Sequence, residues 1–223
     1  MGNRLLAFAL LVSLASPVWA ADLIDRIVAT VNGHAILQSD WEDEISFESL
    51  LAGHPVDQVA PIARKAALDR LIDQELLREQ MAQSEPQHVS TTELQRELQE
   101  VRRQYADAQT DQGWRTLLSS FHLNQEQVEK RLAMQFEVLR LVDAKLRPTV
   151  QIDEKSIESY YNQELLPQLR QAGAKQLPLQ EVTPKIKELL TQQKMNQALA
   201  AWLQNLRAGS SIRGQGYAQG QPQ

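Results

Sequence analysis

Asn32-Gly33 stands between two β-rich runs, Arg26–Val31 (RIVATV) and His34–Leu37 (HAIL). Both turn residues tolerate positive φ, so this pair between such runs is the strongest short signal for a two-residue hairpin. An isolated two-stranded hairpin is marginal in water. A chain that builds one must therefore pair it or cover it. Ser39, with Glu42 three residues on, has the spacing of a capping box and predicts a helix directly after the hairpin, over Trp41 to about Ala52. A second β-prone segment, Ser210–Arg213, comes only after the last helix, and the need for a third strand predicts that it pairs with Arg26–Val31.

The 20 residues from Met1 to Ala20 contain one early cation, Arg4, and the apolar run Leu5–Leu14. Ser16, Pro17 and the small residues Val18 and Ala20 follow. This is the layout of a secretory signal peptide cut after Ala20 or Ala21. The run is shorter than the roughly 20 apolar residues that a spanning helix needs. The rest has no comparable run, and no stable membrane insertion is expected after cleavage. Roughly 200 residues remain, enough for one cored domain or a domain with a satellite. A signal peptide does not by itself separate periplasm from medium.

Helical periodicity fills nearly all of the remainder. A helix over about Val59–Gln83 carries Leu68, Leu71, Ile72, Leu76 and Met81 on one face, with Pro61 in its first turn and Ser84-Glu85-Pro86 as its stop. Ser90 and Glu93 form another capping box before the stripe Leu94, Leu98, Val101 and Tyr105. A shorter helix over Thr110–Phe121 offers Trp114, Leu117, Leu118 and Phe121. Asn124 and Gln127 cap a helix that runs to about Leu146, with Val128, Leu132, Phe136, Leu139, Val142 and Leu146 along one side. Met134, Val138 and Leu141 widen that face and predict a central helix. Asp153 caps a helix with Ile157, Tyr160 and Tyr161. Pro167, Gly173 and Pro178 punctuate a broken connection from Leu165 to Leu179. A long helix from about Pro184 to Ala208 ends at Gly209. Trp41, Trp114 and Trp202 read as core. The low-complexity tail 214–223 (GQGYAQGQPQ) reads as disordered.

Composition excludes several functions. There is no cysteine, which removes disulfides, thiol catalysis and cysteine-held metal. The net charge of −5 argues against nucleic acid as a partner and offers no polybasic anchor for lipid. His34, His54, His88 and His122 lie on the hairpin or in loops and read as scattered surface residues, with no metal site. Glu42-Asp43-Glu44 and the Glu97/Glu100 pair read as solvated helix faces. No phosphate loop, dinucleotide turn or nucleophile elbow is present. No catalytic residue and no cofactor are expected.

The strand, turn, strand and capped helix after a leader (RIVATVNGHAILQSDWEDEI), the helical body and the ending LQEVTPKIKELLTQQKMNQALAAWLQNLRAGSSIR together resemble the SurA family of periplasmic chaperones. The resemblance is to its N-terminal chaperone domain and covers roughly Asp22–Arg213. It implies a mainly α fold with a small N-terminal β-hairpin joined by a C-terminal strand. It divides the chain into a signal peptide (1–20), an N-terminal helical chaperone region with the hairpin (21–147), a connector (148–178), a C-terminal helix and strand completing that region (179–213) and the tail. Members commonly carry parvulin prolyl isomerase domains at the connector. About thirty residues stand there, and a compact domain takes at least about 50. The resemblance therefore implies a periplasmic, ATP-independent holdase without an isomerase, binding unfolded or partly folded polypeptides, outer-membrane proteins above all. An adaptor for a folded partner and a divergent isomerase are the alternatives.

Holding unfolded chains requires exposed apolar surface that can repack around varied partners. The residues beyond the minimal buried stripes are Leu50, Leu51, Leu77, Met81, Met134, Val138 and Met195. Each of these also suits ordinary core packing. Tyr160 and Tyr161 join them, because adjacent residues on a helix point apart and one should be exposed.

Overall fold

The computed structural model describes residues 25–83 and 89–214. The proposed leader, the Ser84-Glu85-Pro86 stop and the tail after Gly214 lie outside them. The fold is mainly helical with one small antiparallel sheet, as expected. Strands β1 (Ile27–Val31) and β2 (His34–Leu37) form the hairpin, with Asn32 at φ 50° and Gly33 at φ 91°, the left-handed pair that the turn requires. Strand β3 (Ile212–Gly214) joins the far edge of β1, in the order β2-β1-β3. Val31 faces Ile212, Thr30 faces Arg213 and Ala29 faces Gly214, so the expected closure of the chain ends is present. It takes in Gly214, one residue more than the sequence reading assigned to the strand.

Side chains reinforce that closure. Asn32 accepts a hydrogen bond from the Ser211 N–H at 2.8 Å and donates to Ser210 Oγ at 3.2 Å and to Glu79 at 2.8 Å. Its own N–H donates to Ser211 O at 2.9 Å. One turn residue thus joins the hairpin, the C-terminal strand and a helix.

Helix α1 (Gln38–Ala52) begins before the predicted Ser39 cap. The Asp40 carboxylate accepts the Leu37 N–H at 3.0 Å, while the Ser39 hydroxyl and N–H both donate to Asp25. Capping by residues on either side displaces Ser39 and Glu42 from that role. The helix ends at Gly53, left-handed at φ 72°. Helix α2 (Pro61–Met81) opens with proline in its first turn. Helices α3 (Thr91–Arg103), α4 (Asp111–Ser120) and α5 (Gln125–Leu146) start at Ser90, Thr110 and Asn124, whose side chains cap them. The α3 and α5 caps are the predicted capping boxes.

Helix α6 (Glu154–Tyr160) does not give way to a broken connection at Leu165. A π-helical turn, Tyr161–Leu165, carries it into α7 (Leu166–Gln171). In an unbroken α-helix the ring of Pro167 would press against the Gln163 carbonyl, and the wider turn stands at that position. Helix α8 (Leu179–Ala208) likewise starts earlier than predicted, with Pro184 inside it. Near that proline the Thr183 hydroxyl donates to Leu179 O at 2.8 Å. Gly209 ends α8 with φ −86°, so the stop occurs without a left-handed residue.

The largest core joins Phe47 and Leu50 of α1 to Leu98 and Val101 of α3, Trp114 and Leu118 of α4, and Val128 and Leu132 of α5. A second core packs Val28, Ala29, Val31 and Ile36 of the sheet on Leu68, Ile72 and Leu76 of α2, with Leu206 of α8 beside it. Helix α8 is roughly 45 Å long. Its Met195, Leu199 and Trp202 pack on Val142 and Leu146 of α5, and its Val182 and Ile186 pack on Ile157 of α6. Arg207 anchors its end, donating to Asp73 at 2.6 Å and Asp69 O at 2.8 Å. Of the three tryptophans read as core, Trp114 is buried, while Trp41 and Trp202 are half-buried. Trp41 donates to Arg64 O at 2.7 Å, and Lys145 lies over Trp202, so both keep one side toward polar surroundings. Leu139, placed by periodicity on the buried side of α5, is 62% exposed.

Two outcomes test these linkages. Asn32→Gly keeps the turn conformation but deletes the side-chain ties to Ser210, Ser211 and Glu79. It should lower unfolding free energy by about 1–2 kcal/mol in urea titrations. The second concerns Glu93, whose carboxyl is held at about 2 by the Ser90 hydroxyl, Arg140 and the Ser90 N–H. A lowered folded pKa gives stability that is present above the ordinary carboxylate range and lost as pH falls through about 2. Glu93→Gln should therefore be less stable than the native protein at pH 7, and the two should converge in acid near pH 2.

Candidate functional site

Four elements meet at a cleft of about 320 Å³, with α1 supplying Asp40 and Asp43 between the other three. Strand β2 contributes Ala35 and Ile36, α2 contributes Leu71, Gln74, Glu75 and Arg78, and α5 contributes Lys130, Arg131 and Met134. Its lining is apolar in the middle, at Ile36, Leu71 and Met134, and carries both signs of charge around the rim.

The wall formed by α5 is fixed by a buried ion pair. Arg131 donates to the Glu44 carboxylate of α1, and also to Asp40 O at 3.1 Å. Gln127 donates to Asp43 at 2.8 Å beside it. Glu44 is 3% exposed. Its burial corrects the reading of Glu42-Asp43-Glu44 as a wholly solvated face: Glu44 lies on the inward side of α1, and α5 brings a cation to it from 87 residues away. Desolvation raises the Glu44 pKa, and Arg131 only partly opposes that.

Beside the cleft, Glu75 of its lining lies with His34 and Glu79, the donor atoms of the three all within 4.8 Å of one another. Sequence reasoning missed this because His34 is on the hairpin and the two glutamates are one turn apart on α2. Arg78 already supplies positive charge there. It donates to Glu75 at 2.6 and 2.8 Å and lies 3.4 Å from His34 Nδ1. The Glu75 carboxyl is lowered, first by the bond from Arg78. The group is a charge network bracing β2 against α2.

A second depression, about 600 Å³, lies between α5 and α8, where Phe136, Leu139, Met195 and Leu199 line it with Arg140, Asp143 and Gln192. The exposed Leu139 is thus the open side of an inter-helix groove.

The nine residues singled out for client contact are dispersed over the molecule. Met134 lines the first cleft and Met195 the floor of the second, where it is itself buried. Val138 packs half-buried between α5 and α8, Leu51 half-buried against the main core, and Met81 half-buried at the end of α2. Leu50 and Leu77 are buried, so packing is what they do in this conformation. Tyr160 lines a shallow surface with Leu190. Tyr161 donates to Leu177 O at 2.7 Å. Both tyrosines are half-buried against Ile157, Val182 and Ile186, contrary to the expectation that one would be exposed. The π-helical turn starting at Tyr161 alters the angle between their directions. Ile36, Leu71 and Leu199 were not singled out. Amphipathic patterning gives the same signal for a buried residue and for one beside an open cleft.

A helical body closed by a hairpin and a distant third strand defines the class. The chain belongs to the SurA-like N-terminal domain family, whose description it matches over residues 4–142. That match runs from Arg4 through most of α5. Helix α8 and β3, which complete the sheet and its covering, lie beyond it. The family is a chaperone-type module without a catalytic domain, associated with unfolded polypeptides. No curated protein matches the chain. Among the described residues, no helix is long and apolar enough to cross a membrane.

The Glu44–Arg131 pair sets a clear test. Breaking a buried pair by removing its cation costs about 3–5 kcal/mol. A raised folded pKa contributes stability below the ordinary carboxylate value, lost as pH rises through the raised one. Arg131→Met raises Glu44 further, so its penalty should be large at pH 8 and smaller at pH 5 in urea titrations. An equal penalty at both pH values would show that Glu44 does not carry the effect.

Proposed function

We propose that the mature protein is a periplasmic, ATP-independent holdase for unfolded envelope polypeptides, outer-membrane β-barrel proteins foremost. Membership of the SurA-like family carries this reading. The partly exposed apolar lining of the β2–α2–α5 cleft and of the α5–α8 groove, with Leu139 open at the second, supports it, because such surface binds chains with little geometric demand. The leader-like segment supports export and cleavage near Ala20. In this reading residues 21–147 and 179–213 form one chaperone unit, and 148–178 is a connector of short helices where relatives carry an isomerase.

The contact residues proposed are those with a side at the surface: Met134, Tyr160, Val138, Met81, Leu51 and Tyr161, with Met195 at the base of its groove. Leu50 and Leu77 would take part only if their helices opened.

Purified mature protein should suppress aggregation of several unrelated unfolded clients without ATP, and suppression should persist in moderate salt. A proline-peptide assay should show no catalysed isomerisation. Suppression confined to one client and lost with ionic strength would instead favour a charge-read adaptor.

A further inference from the structure

We infer that the outer edge of β2 binds an extended polypeptide segment as an added strand, with Ala35 supplying the backbone hydrogen bonds. The inference rests on the holdase reading and names the mode of recognition. Val31 and His34 flank the two-residue turn and pair with each other, while Thr30 pairs with Ala35 and Ala29 with Ile36. In an antiparallel pair, hydrogen-bonded and open positions alternate, and the residues flanking a two-residue turn are bonded to each other. Ala35 is therefore in an open position, and its N–H and C=O point away from β1. The next outward N–H along β2, that of Leu37, donates to Asp40 at 3.0 Å and closes the edge there. Ala35 is exposed, and it lines the same cleft as Ile36, Leu71 and Met134.

These features fit one occupant. A strand laid along β2 would take two backbone hydrogen bonds from Ala35 and direct alternate side chains over the apolar middle of the cleft. The molecule already does this to itself. On the other edge of β1, the three-residue strand β3 is added from more than 170 positions along the chain, so a three-residue addition suffices in this sheet. Main-chain bonds read no sequence, and the lining charges, Asp40, Asp43 and Glu75 against Arg78, Lys130 and Arg131, favour no single sign. The segment selected is therefore an extended, β-prone chain with apolar residues at alternate positions, the pattern of a membrane-barrel strand before it folds.

Proline at position 35 tests this without touching the hairpin ladder, because the N–H it removes faces outward. The probe is a fluorescent ten-residue peptide of alternating apolar and polar residues, titrated into the full mature chain. Ala35→Pro should weaken binding at least tenfold, and Ala35→Ser should bind within twofold of native. Circular dichroism and the thermal midpoint check that both variants fold. As a second measurement, the peptide should slow amide exchange at Ala35 in the native protein. Unchanged affinity in a folded Ala35→Pro variant, or no slowing at Ala35, overturns the proposal. If the native chain suppresses client aggregation but does not bind the peptide, strand addition fails and the holdase reading stands. If it binds the peptide through Ala35 but suppresses no aggregation, strand addition stands and the holdase reading fails.

Discussion

Strand β1 depends on partners that its own hairpin cannot supply. Val28, Ala29 and Val31 are almost wholly buried, and only the first hairpin partner is close in sequence. The other edge is covered by β3, and the face by Leu68, Ile72 and Leu76 of α2 with Leu206 of α8. The N-terminal sheet therefore remains incomplete until the last residues of α8 and β3 arrive. Asn32 and Arg207 register that arrival in polar terms, one on the turn and one on the final helix. This is why α8, beyond the region that matches the family, is integral to the body.

The same architecture leaves apolar surface open. Helix α8 runs across three separate packing clusters, at Leu206, at Met195 and Trp202, and at Val182 and Ile186. A single helix cannot fill all the space between α5 and α6, and Leu139 stands at the unfilled side of its groove. At the other end, the Glu44–Arg131 pair fixes α5 against α1, while Arg78 and Glu75 of α2 meet His34 of β2. Charge networks thus define the walls of a cleft whose middle is apolar.

Much of this was legible in residues alone. Asn32-Gly33 gave the turn, Ser90 and Asn124 gave two helix starts, and the instability of a lone hairpin pointed to Ile212 as a strand residue. What could not be read depended on partners distant in sequence. Ser39 lost its cap to Asp25 and Asp40, and Glu44 became buried because Arg131 reached it. Leu139 obeyed the apolar period of α5 yet stands exposed at the edge of the α5–α8 groove. Pro167 was read as part of a broken connection and Pro184 as a helix start, but a π-helical turn leads into the helix holding Pro167, and α8 begins at Leu179 with Pro184 inside it. For the candidate site the sequence named Met134 and Met195 and missed Ile36 and Leu71, since periodicity cannot tell a cleft lining from a core.

The central claim is that this closed body holds unfolded chains at the β2–α2–α5 cleft. Hydrogen exchange of the mature protein, with and without an unfolded outer-membrane polypeptide, tests it most directly. The account predicts slowed exchange along His34–Leu37 and over the cleft-facing turns of α2 and α5, with the core around Trp114 unchanged. Exchange that is unaltered at those segments while the polypeptide is demonstrably bound would contradict it.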